Sequence, residues 1–514
     1  MSTQIHIIQN AITTTISEIF RGEFRRICEV KKAVLHLEAI YFCHGTCYLL
    51  KRENMPIKDQ LALYQRIELI PQSTTEFFEN NRECIINNWP EESALAAKPE
   101  ILYDALLASE FCVQPERVGY KIDKVSRDIA GAYYTSSDFS AQITYRALES
   151  YMDRKRRRAI DSDSFACCNE YENITFLDYS CGCGEFLLAV IQYFDNHVLG
   201  YSRKKLATQL RGVDVNPIAL MITIARIVSA VEAEDDENLL REVAKNFIVG
   251  NPLLHSDKIA PLEVRFDNFA LNRLYAETEG INCLELEQQN LVVLGNPPWE
   301  KLRFEERAFF RPVCPAISAI SQKNKREKEI KKLAVNWLEL LEYYQLLQDD
   351  YASVKKEIPK HPLLKVSLVG ELNTYAMFAE LASRLTEKDG FAAIIVKSAL
   401  VTSTCYSSCF RHFVNQGSLS EVFLFDNREK LFQIDSREKF CVLFFGGEHA
   451  GGIKVHYGLT KQEQILSSVP INVTSEELEL INPETGLLPN VADSKEFSFL
   501  LRTHRSLSVF AKEF

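Results

Sequence analysis

The segment Leu291–Leu302 reads LVVLGNPPWEKL, an apolar run that ends in an amide, two prolines and a large flat ring. The side-chain oxygen of Asn296 can accept a hydrogen bond from an amino group. Pro297 has no N–H, so it releases the preceding run from ladder pairing and leaves a carbonyl as a bare acceptor. Two acceptors facing one NH₂ hold it in place and raise the electron density on its nitrogen. The ring of Trp299 offers a stacking surface for a planar base or amide. This chemistry calls for neither a cysteine nucleophile nor a metal. Taken alone, NPPW also reads as an ordinary turn followed by a core tryptophan.

Three further segments carry residues suited to binding. DYSCGCGEFLLAVIQYF (178–194) places Gly182 and Gly184 between an apolar run and a patterned helix. Lacking a Cβ there lets the backbone approach a ligand closely. No Lys-Ser/Thr follows the glycines, which argues against a nucleoside-triphosphate loop. Cys181 and Cys183 have no second pair to complete a metal site and read as small turn-filling residues. In GVDVNPIA (212–219), Asp214 stands at the end of the second run, where a carboxylate can accept from both hydroxyls of a ribose. In GNPLL (250–254), Asn251 is an amide able to read the edge of an adenine ring.

These segments need strands to position them. From about residue 125, short apolar runs alternate with helical stretches: ITFL, LRGV, FIVG, LVVL, FAAIIV, VFLF and CVLFF, starting at residues 174, 210, 247, 291, 391, 422 and 441. Strands separated by helices imply crossover connections and a mostly parallel sheet covered on both faces. Ligands in such sheets bind beyond the carboxyl ends of the strands, and the marked residues all follow strands. Residues 1–120 read as helical, with apolar periodicity through 7–24, 33–49, 61–70 and 101–112. An ExK triplet at Glu29–Lys31 lacks the Pro-Asp of a nuclease site and reads as a solvated helix face.

At 514 residues, with 46% hydrophobic and 25% charged residues, the chain is long enough for about three ordinary globular domains. It shows no signal peptide and no span long enough for a bilayer. Its fourteen cysteines include no CxxC pair, which fits a reducing cytoplasm. The net charge of −11 allows one basic groove on an acidic body. Two basic runs stand out, RKRRR (154–158) and SQKNKREKEIKK (321–332). Such runs are most often solvated faces, and the second gains weight from following NPPW.

Together these motifs resemble the S-adenosylmethionine-dependent DNA adenine-N6 methyltransferases of restriction-modification and phage-defence systems, in the subgroup whose cofactor motifs precede the catalytic one. AGAYYTSSDFSAQIT (130–144) is similar to their Tyr-Tyr-Thr segment, and DYSCGCGEFL to their glycine loop, with Tyr179 where proline is usual. The second, third and fourth motifs match GVDVNPIA, GNPLL and GNPPW. ELNTYAMFAELASRLTEKDGFAAIIV (371–396) and LFQIDSREKFCVLFF (431–445) resemble later motifs. The resemblance covers roughly residues 125–450 and implies an α/β fold, a doubly wound, mostly parallel, seven-stranded Rossmann-like methyltransferase sheet, over a domain at 121–460 with a helical insertion at about 303–370. Residues 1–120 carry no motif of that family, and their periodicity gives an N-terminal helical domain; residues 461–514 read as a C-terminal extension, the start of a truncated or reduced target-recognition region. It places Tyr133, Thr135, Asp178, Ser180, Gly182, Gly184, Asp214, Asn216 and Asn251 around S-adenosylmethionine. Asn296, Pro297, Pro298 and Trp299 then surround a flipped adenine. The implied partners are double-stranded DNA and a specificity or nuclease subunit, with no membrane and no metal. An RNA or protein-glutamine methyltransferase, or a catalytically silent nucleic-acid-binding subunit, are the competing readings.

Overall fold

The computed structural model describes residues 2–96, 98–107, 109–122, 135–161, 171, 173–254, 261–271, 290–386, 389–432, 434–446 and 452–513. The seven apolar runs are strands: β3 (Thr175–Asp178), β4 (Leu210–Asp214), β5 (Phe247–Val249), β6 (Leu291–Gly295), β7 (Phe391–Lys397), β8 (Leu419–Asp426) and β9 (Lys439–Phe445). β10 (Ile453–Leu459) and β11 (Ile471–Val473) extend the same sheet, so among the described residues it has nine strands where seven were expected. Its order is β11-β10-β8-β9-β7-β6-β3-β4-β5. β3, β4, β5, β6 and β7 are mutually parallel neighbours, whereas β9 runs antiparallel to both β7 and β8. β11 lies beyond residue 460, so the sheet continues into the segment read as an extension.

From β3 the chain moves outward to β4 and β5, then returns to lay β6 on the other side of β3. This reversal opens a crevice at the carboxyl ends of β3 and β6. The helices Glu185–His197, Pro217–Ala230 and Thr374–Leu385 cover the sheet, and the side chains of β6 and most of β7 are buried. That two-sided burial is why these strands read as unbroken apolar runs.

The N-terminal region forms helices over Ser2–Ile19, Ile27–Leu49, Ile57–Arg66 and Pro99–Leu107, among shorter ones. The helical periodicity read through residue 112 stops at 107. Residues Ser109–Gln114 (β1) pair with Arg117–Ile122 (β2) as an antiparallel hairpin, in which Phe111 and Tyr120 stand directly opposite one another and meet edge to face, a cross-strand pair that favours the strand form. The Ile27–Leu49 helix packs on Pro217–Ala230, which joins the helical region to the sheet's covering layer. Lys31 of the ExK triplet lies 5.6 Å over the Tyr343 ring, so that face is packed and not simply solvated.

The RKRRR run divides in the same way. Arg154 is only 6% exposed. Its guanidinium donates to the carbonyls of Asp389 (2.6 Å), Gly390 (2.8 Å) and Gly446, tying the Ser137–Asp161 helix to the start of β7 and the end of β9. A planar fork of donors suits this clamp in a way that lysine does not. Arg154→Ala is therefore expected to cost about 3 kcal/mol, since it leaves several buried carbonyls without their charged donor. Urea unfolding measures this, and a midpoint within error of wild type would show that the clamp is idle.

Candidate functional site

The glycine loop begins at the end of β3. Gly182 and Gly184 adopt φ of +50° and +86°, a left-handed turn that a side chain would strain. A Cβ added at Gly182 would meet nothing within 4 Å, so the loop presents open space on that side. The next helix starts at Glu185, with its first N–H groups beside the loop. Cys181 and Cys183 are buried, and burial holds both thiols well above their ordinary range, as turn-filling residues require. Among the described residues, no group of three or more His, Cys, Asp or Glu side chains could hold a metal ion.

Asp214 stands at the end of β4 and grips the loop. One carboxylate oxygen accepts from the Gly182 N–H and the other from the Asn216 N–H, both at 2.9 Å. Burial raises its pKa and these backbone donors pull it back. A carboxylate has about four acceptor positions, so each oxygen retains a second lone pair. Asn216 caps the next helix by accepting from the Ile218 N–H at 2.9 Å. Between them Val215 is 51% exposed, an apolar side chain at a strand end that could pack against a flat ring. Asn251, after β5, turns its side-chain oxygen to the Leu253 N–H at 3.1 Å.

The NPPW turn abuts this loop. A Cβ on Gly295 would lie 2.7 Å from Asp178 Oδ1, so only glycine lets β6 pass the end of β3. Asp178 accepts from the Ser180 N–H at 3.0 Å. Burial pushes its carboxyl up to about 8, with the Asp214 charge adding to the effect. Asn296 Nδ2 donates to Thr135 Oγ1 at 3.1 Å, which brings Thr135, the last residue of the Tyr-Tyr-Thr motif, onto NPPW. Tyr133 lies outside the described residues. Among the described residues nothing donates to the Pro297 carbonyl, whereas the Pro298 carbonyl accepts from Thr374 Oγ1 at 2.6 Å.

Trp299 departs from the expected open surface. It is 4% exposed, its Nε1–H donates to the Ile395 carbonyl at 3.3 Å, and Phe432 and Phe440 lie 5.3 and 6.1 Å from its ring. In this conformation the indole is a wall of the core. The cause is local: with β9 inserted beside β7, the aromatic residues of β9 and of the segment after β8 converge on the indole.

Three residues that the sequence left unmarked also shape the site. Thr374 opens the helix after the insertion and binds the turn from both sides. It accepts from the Glu300 N–H (3.0 Å), and its own N–H donates to the Glu300 carbonyl (3.0 Å). The Glu300 carboxyl is pushed up to about 8 by burial and acts on Tyr351 of the Leu338–Glu357 helix. Tyr103, from the N-terminal helices, accepts from the Asn216 amide. Nothing in their local sequence marks these residues, because each acts through a partner far along the chain.

No family model matches the sequence, and no curated protein sequence matches it. Solved structures resemble it loosely. The chain in the cryoEM structure of a DrdV–DNA complex overlaps with a TM-score of 0.45 at 13% identity, covering 92% of this chain and 46% of that one. The type IIL restriction-modification enzyme MmeI in complex with DNA gives 0.42 at 12%, covering 92% and 60%. A class I S-adenosylmethionine-dependent methyltransferase from Listeria monocytogenes, described as such provisionally, gives 0.38 at 12%, covering 91% and 97%. The chain thus spans under half of the DrdV chain and three fifths of MmeI. Restriction-modification methyltransferases recur among these neighbours, all at low identity.

Proposed function

We propose that this chain is an S-adenosylmethionine-dependent methyltransferase acting on the N6 amino group of an adenine flipped out of double-stranded DNA, in a restriction-modification or phage-defence setting with a specificity or nuclease subunit as partner. The observation that carries this reading is the meeting of two loops at the sheet's reversal point. The glycine loop is gripped by Asp214, and Gly295, which leads into Asn296 and Pro297, packs against Asp178 at the start of that loop. The open side of Gly182 and the remaining lone pairs of Asp214 fit the cofactor, with the carboxylate suited to the ribose and Val215 to the adenine ring. In this reading Asp178, Ser180, Thr135 and, outside the described residues, Tyr133 serve the methionine end of the cofactor, and Asn216 and Asn251 its adenosine end.

The cofactor supplies a methyl group on a sulfonium, an electrophile that needs no further activation. The chain's own residues deal with the poor nucleophile. The N6 lone pair is delocalised into the adenine ring, and acceptors at Asn296 Oδ1 and the Pro297 carbonyl draw the NH₂ toward a tetrahedral geometry. The nitrogen gains the methyl group and loses one proton to water. Thr374 fixes the turn, so the acceptors are held before the base arrives, which is where most of the rate gain arises. Extruding the base costs about a few kcal/mol. Stacking on Trp299 requires that Phe432 leave the indole, and the ring exposed in that way offsets part of the cost. Exposed Lys325, Lys328 and Lys331, on one helix of the insertion after NPPW, suit phosphate contacts that weaken steeply with salt.

Two outcomes test this. Asn296→Ala should lower turnover by roughly 100-fold or more, about 3 kcal/mol of transition-state stabilisation, with cofactor affinity unchanged. Trp299→Phe is the matching probe of base capture, because Trp299→Ala would also lose about 3–5 kcal/mol of core packing. Mass spectrometry of nucleosides from treated DNA reads the product; methylcytosine as the main product, or wild-type turnover in Asn296→Ala, would overturn the assignment.

Asp178 makes a separate prediction about pH. Its folded pKa of about 8 lies above the unfolded value of about 3.9, so the folded state holds an extra proton in between. Stability must then fall as pH rises from about 4 to about 8. Asp178→Asn removes this titration while weakening cofactor binding. Thermal unfolding of both proteins without ligand, from pH 5 to 9, should show the variant gaining on wild type as pH rises. Parallel curves would show that Asp178 is charged throughout.

A further inference from the structure

The N-terminal helices reach the cofactor motifs at two points. The Pro99–Leu107 helix carries Tyr103, 7% exposed, whose hydroxyl accepts from Asn216 Nδ2. The same helix carries Glu100, 3.9 Å from Arg226. Arg226 in turn donates to the Cys183 carbonyl of the glycine loop (2.5 Å) and to Glu185 (2.7 Å). One helix of the N-terminal region therefore touches the turn after β4 directly and reaches the loop after β3 through Arg226.

The amide of Asn216 has only one orientation available. Its oxygen is committed to the Ile218 N–H at the helix start, so its NH₂ must face Tyr103. The Tyr103 oxygen accepts that bond, which leaves its own proton to donate elsewhere. Burial raises the phenol well above its ordinary pKa, and Asp214 is the carboxylate acting most strongly on it, so the hydroxyl stays protonated beside that carboxylate. Asp214 already accepts one backbone N–H on each oxygen and keeps a second lone pair on each for a hydroxyl that donates to it, but it has no proton to give back. A diol arriving at Asp214 brings hydroxyls that both donate and accept, and the Tyr103 proton is the donor poised to meet one of them.

We propose that Tyr103 is a ribose-side binding residue contributed by the N-terminal helical region, so that cofactor occupancy and the packing of the Pro99–Leu107 helix are coupled. The inference rests on the methyltransferase reading of the same site. Tyr103 is anchored from behind by Phe42 of the Ile27–Leu49 helix, ring centroids 6.1 Å apart and edge-on, so the coupling extends into the layer that packs on Pro217–Ala230. By linkage, whatever fixes that layer also tightens cofactor binding, and the converse holds equally.

The test uses the full chain with S-adenosylhomocysteine and its 2′,3′-dideoxy analogue, by calorimetric titration. Tyr103→Phe keeps the ring and removes the hydroxyl. It should bind S-adenosylhomocysteine about five- to tenfold more weakly than wild type, the size of one lost hydrogen bond. It should bind the dideoxy analogue as wild type does, because that ligand has no diol to meet. In wild type, S-adenosylhomocysteine should also slow hydrogen exchange of the Pro99–Leu107 amides. Equal affinities of variant and wild type for S-adenosylhomocysteine, equal losses with both ligands, or no protection of that helix would each overturn the role of Tyr103. A wild-type chain that binds neither ligand would overturn the methyltransferase reading itself, a different result from any of these. Should Tyr103→Phe fail to fold, the exchange measurement on wild type decides alone.

Discussion

The site depends on one close approach. β6 must pass the end of β3 so tightly that a Cβ at Gly295 would sit 2.7 Å from a carboxylate oxygen of Asp178. This contact is where the sheet order reverses, and it brings two loops from distant parts of the chain against one another. It has an electrostatic consequence too. Asp178 is enclosed by the strand that passes it, loses water, and is left with one backbone donor and a neighbouring like charge at Asp214. A buried carboxyl in that state is costly to the folded chain, and such costs are tolerated at sites that later receive a compensating group. The ammonium end of an amino-acid-like ligand is the kind of group that compensates.

Trp299 shows how a single residue can serve two demands. A core needs its aromatics enclosed, and the indole meets that demand fully, with its N–H satisfied by Ile395 and its faces covered by Phe432 and Phe440. A stacking surface needs one face exposed. In this conformation the first demand wins, and the proposed stacking needs Phe432 to move. Phe432 sits on the segment leaving β8, not inside a strand, so such a move leaves the sheet's ladder intact but breaks the two bonds by which the Asn427 side chain holds the Phe432 N–H (3.0 Å) and carbonyl (2.9 Å).

Much of the sheet was legible because its strands are buried on both faces. Seven apolar runs were readable as seven strands, since β-branched and aromatic residues between helical stretches have few other uses. β10 and β11 were not, for a physical reason. β10, IKVHYGL, mixes exposed Lys454 and Gly458 among buried positions and contains a buried histidine, His456, that is satisfied by Glu421 at 2.9 Å and Ser468 at 2.6 Å. From sequence alone that histidine reads as polar and breaks the run. The glycine loop and Asp214 were legible because their roles are local to one strand end. Tyr103 and Thr374 were not, since each matters only through a partner, Asn216 or Pro298, more than seventy residues away. Arg154 misled the reading for the converse reason: a charged run looks solvated until the carbonyls that occupy it are known.

The insertion after NPPW is joined to the site without slack. The chain leaves at Leu302 and returns at Leu372, whose carbonyl accepts from the Leu302 N–H at 2.9 Å, and Lys301 bridges Asn373 beside it. One residue further in, Thr374 holds the Pro298 carbonyl and both backbone groups of Glu300. A neck built this way is held at several points at once, because shifting either side of it breaks these partly buried hydrogen bonds together. Farther out, the insertion leans on the N-terminal helices, where the Trp337 indole donates to the Arg25 carbonyl at 2.7 Å and Arg25 donates to the Asn336 carbonyl at 2.7 Å. The lysine-bearing helix Lys323–Asn336 ends at that junction. The insertion is thus anchored at two places far apart in sequence, by the neck to the NPPW turn and by Asn336 and Trp337 to Arg25, and these anchors fix where its lysine-bearing helix stands relative to the crevice.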